Sequence, residues 1–379
     1  MDRKSTVGSV RSRWGRGTAR WVPLVTLVGS AALTTDSVNP AGGASASPRG
    51  EPGSENPRDS LQVEAIESDI VVQVTSNGYE PAGDVLVGTH GDEAHPSMYL
   101  ISPEGEVREA WRITNRPGEI LLDRRILPNG NVLFLLMGDG AFEMTREGEI
   151  VWAHSSEDLT HHAELLEDGN VLLAGALCDC VREIDRETQE VVWEWEAKEA
   201  FPDYDNDGAY RGGSEYGIAS LYASTFREER EWPETWAHVN YAQVLDNGNV
   251  VVSLRNFDLV AEVDRNGRVV WSFGPGIIKH QHTPVDLGDG TLVIFDNGNH
   301  RAIHVDRGTG EILWSYDDLD SPVMGDAGPL TDGNYKVVDS IRNTVKVVSP
   351  EGEVRWRMEV EPPGEINGIY RAHFPDLEP

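Results

Sequence analysis

The sequence predicts an all-β chain, a six-bladed β-propeller of mostly four-stranded antiparallel blades. Three observations predict it. A strand ending in tryptophan recurs six times: GEVREAW to Trp111, GEIVWAH around Trp152, QEVVW to Trp193, GRVVW to Trp271, GEILW to Trp314 and GEVRW to Trp356. A tight turn recurs in the same phase, as AGD at Asp84 and then NGN, DGN, NGN, DGT and DGN, ending at Asn131, Asn170, Asn249, Thr291 and Asn334. Between these markers short β-branched runs alternate with glycine turns, and helical periodicity is almost absent. A repeat of 41–43 residues suits one four-stranded blade.

From the N-terminus, Arg3, Lys4, Arg11, Arg13, Arg16 and Arg20 precede an apolar run from Trp21 to Leu33. That run is short for a bilayer span and suits the core of a secretory signal. Residues 1–34 are therefore expected to be a signal peptide or an N-terminal membrane anchor, which places the protein outside the cell or at its surface. Residues 35–64 are Gly, Pro, Ser, Asn and charge, a flexible linker. Residues 65–379 are the propeller.

One repeat sets the register for the others. Counted outwards from the axis, HAELL is strand a, VLLAGA strand b, CVREID strand c and EVVWEW strand d, with DGN as the hairpin turn. The tryptophans near the end of strand d are expected to pack between blades. The ring has to close, so the run 68–75 or the C-terminal RAHF stretch is expected to complete an outer strand. The interval from Trp193 to Trp271 is 78 residues but holds a single DNGN turn, so it is one period plus an insertion at about 196–234. The insertion joins a strand d to the next strand a, on the face where innermost strands begin, and is a candidate lid. Within it, Asp203, Asp205, Asp207 and Gly208 resemble the start of a calcium loop, but Ser214 stands where such a loop needs its glutamate. It reads as an ordinary acidic loop, with calcium the one cofactor to consider.

The formal net charge is −32, with 64 acidic and 32 basic side chains and only five lysines. Such a surface repels nucleic acid and anionic lipid. It also suits solubility in high salt, where repulsion is screened, and the composition is that of a halophile protein. Two cysteines, Cys178 and Cys180, form a CxC. A bridge across one residue would be strained, so buried free thiols are expected.

Superposing the repeats on their turns gathers the chemistry. Nine and eight residues before Asn170 stand His161 and His162; eleven and nine before Asn249 stand His238 and Asn240; eleven and nine before Thr291 stand His280 and His282. Eight before Asn334 stands Asp326. Histidine thus occupies the start of the innermost strand in three consecutive blades, and those starts converge on the axis. Counting forward, strand b brings Arg255 and Asn297, followed by His300 and Arg301, and Arg342 in the last repeat. Histidine, arginine and asparagine together make a donor-rich funnel suited to sulfate, phosphate or carboxylate. Two chemistries use such a cluster. Neutral histidines can hold a transition metal for a hydrolase or oxidase, or one imidazole can be a nucleophile while the others are acid, base and anion donors. A non-catalytic extracellular binding propeller would leave the repeated histidine unexplained.

The segments HHAELLEDGNVLL, WAHVNYAQVLDNGNVVVSLRN, VVWSFG and QHTPVDLGDGTLVIFDNGNHR resemble the arylsulfotransferase family, the PAPS-independent aryl sulfate sulfotransferases, over roughly residues 65–375. The resemblance implies a six-bladed propeller that moves a sulfuryl group from a phenolic sulfate donor to a phenol acceptor by a ping-pong route through a sulfated histidine. It implies His282 as the nucleophile, His238 and Arg255 as ligands of the sulfuryl oxygens, and His161 or His162 as a sulfuryl contact or proton relay. Asn297 and Arg301, with Asn240 and His280, would complete the substrate site. His162 better matches the family's register, whereas His161 shares its offset with His282. Gln281-His282-Thr283 stands where the family often has QHD. The chain thus reads as a divergent member, from a halophilic archaeon.

Overall fold

The computed structural model describes residues 60–89, 94–202, 235–321, 324–361 and 368–378. The chain divides into two units, 1–53 and 54–379, and the described residues all lie in the second. The expected signal or anchor, most of the linker and most of the insertion, including Asp203, Asp205 and Asp207, lie outside the described residues.

Among the described residues there are six antiparallel sheets, four of four strands and two of five. The register read from the sequence holds in the third blade, where His162–Leu165, Val171–Gly175, Cys180–Ile184 and Val191–Glu196 pair in order. The fourth blade repeats it with Val239–Val244, Val250–Leu254, Leu259–Val263 and Val269–Phe273, and the fifth with His282–Asp286, Thr291–Asp296, Arg301–Asp306 and Ile312–Tyr316. The turn glycines have the positive φ that a tight hairpin requires, as at Gly248 (φ 81°).

Both chain ends close the ring. Val71–Ser76 adds an outer strand to the last blade beside Val354–Glu361, and Val63–Ala65 adds another to the first blade beside Val107–Ile113. The strand from the C-terminal RAHF stretch, Ala372–His373, is innermost rather than outer: it pairs with Val85–Thr89 as strand a of the first blade. The reason is topological. The first repeat begins at its second strand, so its axial position stays vacant until the C-terminus returns.

The repeated tryptophans form a blade-to-blade latch. Four of the indole N–H groups donate to a carbonyl in the next blade's c–d turn, Trp111 to Arg146 O (2.7 Å), Trp152 to Arg186 O (3.1 Å), Trp193 to Arg265 O (3.1 Å) and Trp271 to Arg307 O (3.0 Å), whereas the buried Trp314 indole makes no such bond. In those four the arginine of the turn lies over the same indole, 4.4–5.4 Å from its centroid. In three of the latches the guanidinium also pairs back with a strand c glutamate of the preceding blade, as in Arg186–Glu143, Arg265–Glu183 and Arg307–Glu262. The NGN and DGN asparagines complete the latch, with Asn131, Asn170 and Asn249 donating to Glu143, Glu183 and Glu262. Both sequence markers are thus parts of one structural device. Trp356 seals the ring by donating to Pro103 O at 2.9 Å.

Candidate active site

The innermost strands start on one face, and strand b returns its b–c turn to that same face. This topology brings the two sets of counted residues together. His238 Nε2 lies 3.2 Å from His161 Nε2, with the rings edge to face. Two neutral imidazoles at that distance share one hydrogen between them. Their far nitrogens meet hydroxyls, His161 Nδ1 at Thr160 Oγ1 (2.7 Å) and His238 Nδ1 at Thr235 Oγ1 (2.9 Å).

His282 is oriented differently. Its Nδ1 lies 2.8 Å from Asn297 Oδ1 and 3.3 Å from His280 O. Asn297 Nδ2 donates to Ser321 O at 3.3 Å, which turns the amide oxygen towards the imidazole. Both neighbours of Nδ1 are acceptors, so Nδ1 carries the hydrogen and Nε2 keeps its lone pair. The ring of Tyr370 packs edge-on against His282 at 5.8 Å.

All four imidazoles are held neutral. Burial pushes His161 down to about 3, assisted by the charges of Arg371 and Arg255. Burial and then Arg255 and Lys279 push His280 down to about 3. His238 and His282 fall well below their ordinary value through burial first, with Arg255 among the charges that add to it in both cases. Arg255 and His282 are each 2% exposed. In the neutral state each imidazole keeps a lone pair without first having to lose a proton, and the positive charge offered to an anion comes from the guanidinium.

His162 does not join that cluster. It lies one residue further along strand a, where its Nδ1 meets Asp123 Oδ2 at 2.9 Å and its ring packs on Tyr241 at 4.4 Å. Arg371 Nη1 pairs with the same carboxylate oxygen at 2.9 Å. Burial opposes the charge on Asp123, but Arg371, His162 and Arg125 outweigh it and hold the carboxyl well below the usual range. This buried group ties three blades together beneath the histidines. Of the doublet, His161 is therefore the residue brought to His238.

The remaining candidates divide. Asn240 Nδ2 donates to Gln281 O (2.9 Å), and Gln281 Nε2 donates to Ser253 Oγ and Leu259 O, so Asn240 and Gln281 fix the backbone that carries His282. Arg301 hydrogen-bonds to Asp296 Oδ2 and Ile277 O, both at 2.8 Å, and holds the loop ahead of His282. Asp296 in turn accepts the backbone N–H of Lys279 at 2.7 Å. Arg342 pairs with Asp318 and Asp339, and Asp326 with Lys336. The cation that acts with Arg255 on His161 and His282 is instead Arg371, which the repeat count did not reach. Asp123 was within its reach, because it stands eight residues before Asn131, the offset shared by His162 and Asp326. Among the described residues no group of three or more His, Cys, Asp or Glu side chains is placed to hold a metal ion.

The cysteines correct the expectation of free thiols: Cys178 and Cys180 are disulfide-bonded, with Cα atoms 5.1 Å apart. The bridge closes across one residue because Asp179 adopts left-handed backbone (φ 53°), which folds the turn back on itself.

Fold and cluster together describe a propeller with buried histidines and an arginine gathered where its inner strands begin. Residues 71–277 match the arylsulfotransferase (ASST) family, and the chain belongs to that family. Residues 256–372 also match the family of the outer membrane protein assembly factor BamB. No curated protein matches the chain. Among solved structures, a protein of unknown function from Bacteroides caccae is similar over 77% of this chain and 98% of that one, at 16% identity and a TM-score of 0.55. Virginiamycin B lyase from Staphylococcus aureus, with quinupristin, is similar over 78% of this chain and 89% of that one, at 10% identity and a TM-score of 0.45. At 16% identity the Bacteroides caccae structure speaks to the fold alone.

Proposed function

We propose that the protein is an aryl sulfate sulfotransferase that moves a sulfuryl group from a phenolic sulfate to a phenol through a sulfated His282. The observation that carries this reading is the hydrogen bond from His282 Nδ1 to Asn297 Oδ1, which leaves Nε2 as a lone-pair nucleophile. In the first half, Nε2 attacks sulfur, an N–S bond forms, and the bond from sulfur to the aryl oxygen breaks. The phenolate leaves with the electron pair and takes up a proton. In the second half the acceptor phenol gives up a proton, attacks sulfur and restores the imidazole. The His161–His238 pair is the proton relay, its proton affinity raised while the sulfuryl anion sits beside it. His238 and Arg255, with Arg371 nearby, offset the charge on the sulfuryl oxygens in both transition states.

Export to the cell surface or medium is part of the proposal. It is supported by the basic-then-apolar N-terminus and by a disulfide, which persists in oxidising compartments. The net charge of −32 supports a halophilic source. A chromogenic aryl sulfate, incubated at molar salt with and without phenol, tests the transfer. The expected result is acceptor-dependent release that His282→Ala abolishes. Release that ignores the acceptor, or that survives the substitution, would contradict it.

A further inference from the structure

Asp179 is the residue enclosed by the disulfide, and it makes four contacts that meet at one place. Its carboxylate accepts the backbone N–H groups of Trp236 (3.2 Å), Ala237 (3.0 Å) and His238 (2.7 Å). Its own carbonyl accepts the N–H of Ala197 at 2.9 Å. Ala197 follows strand d of the third blade, and Trp236 to His238 lead into strand a of the fourth. One residue therefore clasps the chain on both sides of the long insertion.

The consequences reach the histidine cluster directly. His238 has left-handed backbone (φ 55°), which a histidine adopts only when its surroundings hold it there. The His238 carbonyl accepts the N–H of Arg255 at 3.1 Å. A shift of the Asp179 carboxylate would thus move His238 and the backbone of Arg255 together. The next blade contains the same device without a bridge: Asp258, also left-handed (φ 52°), accepts the N–H of His280 (φ 51°) at 2.8 Å. In each case the b–c turn of one blade sets the axial histidine of the next. The two cases differ in load. Asp258 holds one N–H, whereas Asp179 holds three of a segment that must return from an insertion of some forty residues. The disulfide restricts the turn where that load is greatest.

We infer that Asp179, locked by the Cys178–Cys180 bridge, is a positioning residue for His238 and Arg255, so that opening the bridge loosens the sulfuryl site while leaving the propeller folded. This rests on the reading of the site as a sulfotransferase centre. Opening is a balanced two-electron exchange: a small dithiol is oxidised to its cyclic disulfide, and its two electrons and two protons convert the bridge into the Cys178 and Cys180 thiols. Cys178 is half-buried and within reach of such a reagent.

The test uses the whole protein at molar salt. Aryl sulfate turnover is measured before and after an excess of dithiol, with free thiols counted and the fold followed by near-ultraviolet circular dichroism. In parallel, the His238 imidazole is followed by nitrogen NMR. The expected result is a loss of kcat on the order of 10- to 100-fold with the fold retained, a shifted His238 resonance, and recovery of both on reoxidation. Cys178→Ser/Cys180→Ser should reside in the low state whatever the reductant, as should Asp179→Ala with its bridge intact. Asp179→Asn keeps one acceptor oxygen and should recover part of the rate. Full turnover and an unmoved His238 resonance in chains with two counted thiols would overturn the proposal. Should the oxidised wild type turn over no aryl sulfate, the sulfotransferase reading fails, and the His238 resonance alone still decides the positioning role.

Discussion

His282 Nδ1 and Asn297 Oδ1 are 2.8 Å apart, and this contact decides which nitrogen of the imidazole is free to react. Asn297 stands in the b–c turn of the same blade, and its amide is itself oriented by Ser321 O. The tautomer of His282, the proposed nucleophile, is therefore selected by a neutral amide rather than by a carboxylate. The Asn297 hydrogen bond raises the proton affinity of the ring, but burial and the charge of Arg255 outweigh it and keep His282 well below its ordinary value.

Replacing Asn297 by leucine should free the tautomer while leaving the anion-binding groups in place. Steady-state kinetics should show kcat lower by on the order of 100-fold, with little change in KM for the donor. An unchanged kcat would mean that the amide has no part in selecting Nε2.

Acidification should destabilise the fold before it silences the nucleophile. His161 and His280 are pushed from 6.5 to about 3 in the folded chain, so below pH 6.5 the unfolded chain binds protons that the folded chain does not. Stability is then full above about pH 6.5 and is lost progressively as pH falls towards about 3. Thermal unfolding should show Tm falling from pH 7 to pH 4, while residual activity per folded molecule persists. A Tm that rose over that range would reverse the sign of the argument.

The latch predicts stability without chemistry. Trp152→Phe removes the hydrogen bond to Arg186 O and should cost about 1–2 kcal/mol in denaturant unfolding. Turnover at saturating donor should be unchanged. A loss of turnover with full stability would assign the tryptophans a role at the axis instead.

Beneath the histidines, Asp123 joins Arg371 and His162. Asp123→Asn should cost about 3–5 kcal/mol, because it leaves a buried guanidinium without its countercharge. Adding Arg371→Met should return part of that loss, a coupling measurable by a double-mutant cycle. Strict additivity would show that the pair does not act as a unit.

Much of this was legible in the sequence because repeats turn counting into superposition. The tryptophans and the NGN turns fixed blade number and register, and both proved to belong to the same latch. The histidines at minus nine and minus eleven came together because strand starts share a face. What counting could not supply was anything set by closure or by local backbone. Arg371 and Tyr370 reach the axis because the C-terminus fills the first blade's vacant inner position, a relation between chain ends that no repeat offset encodes. The choice of His161 over His162 depends on strand a beginning at His162, a boundary one residue wide. The Cys178–Cys180 bridge depends on Asp179 taking a left-handed φ, which composition does not reveal.

The most direct test of the account is the state of the enzyme after donor but before acceptor. Intact-mass and peptide analysis of protein mixed with an aryl sulfate alone should show one added SO3 group, located on His282, that disappears on addition of phenol as the phenol becomes sulfated. An unmodified His282 in a chain that still transfers sulfate, or an adduct that persists in His282→Ala, would contradict it.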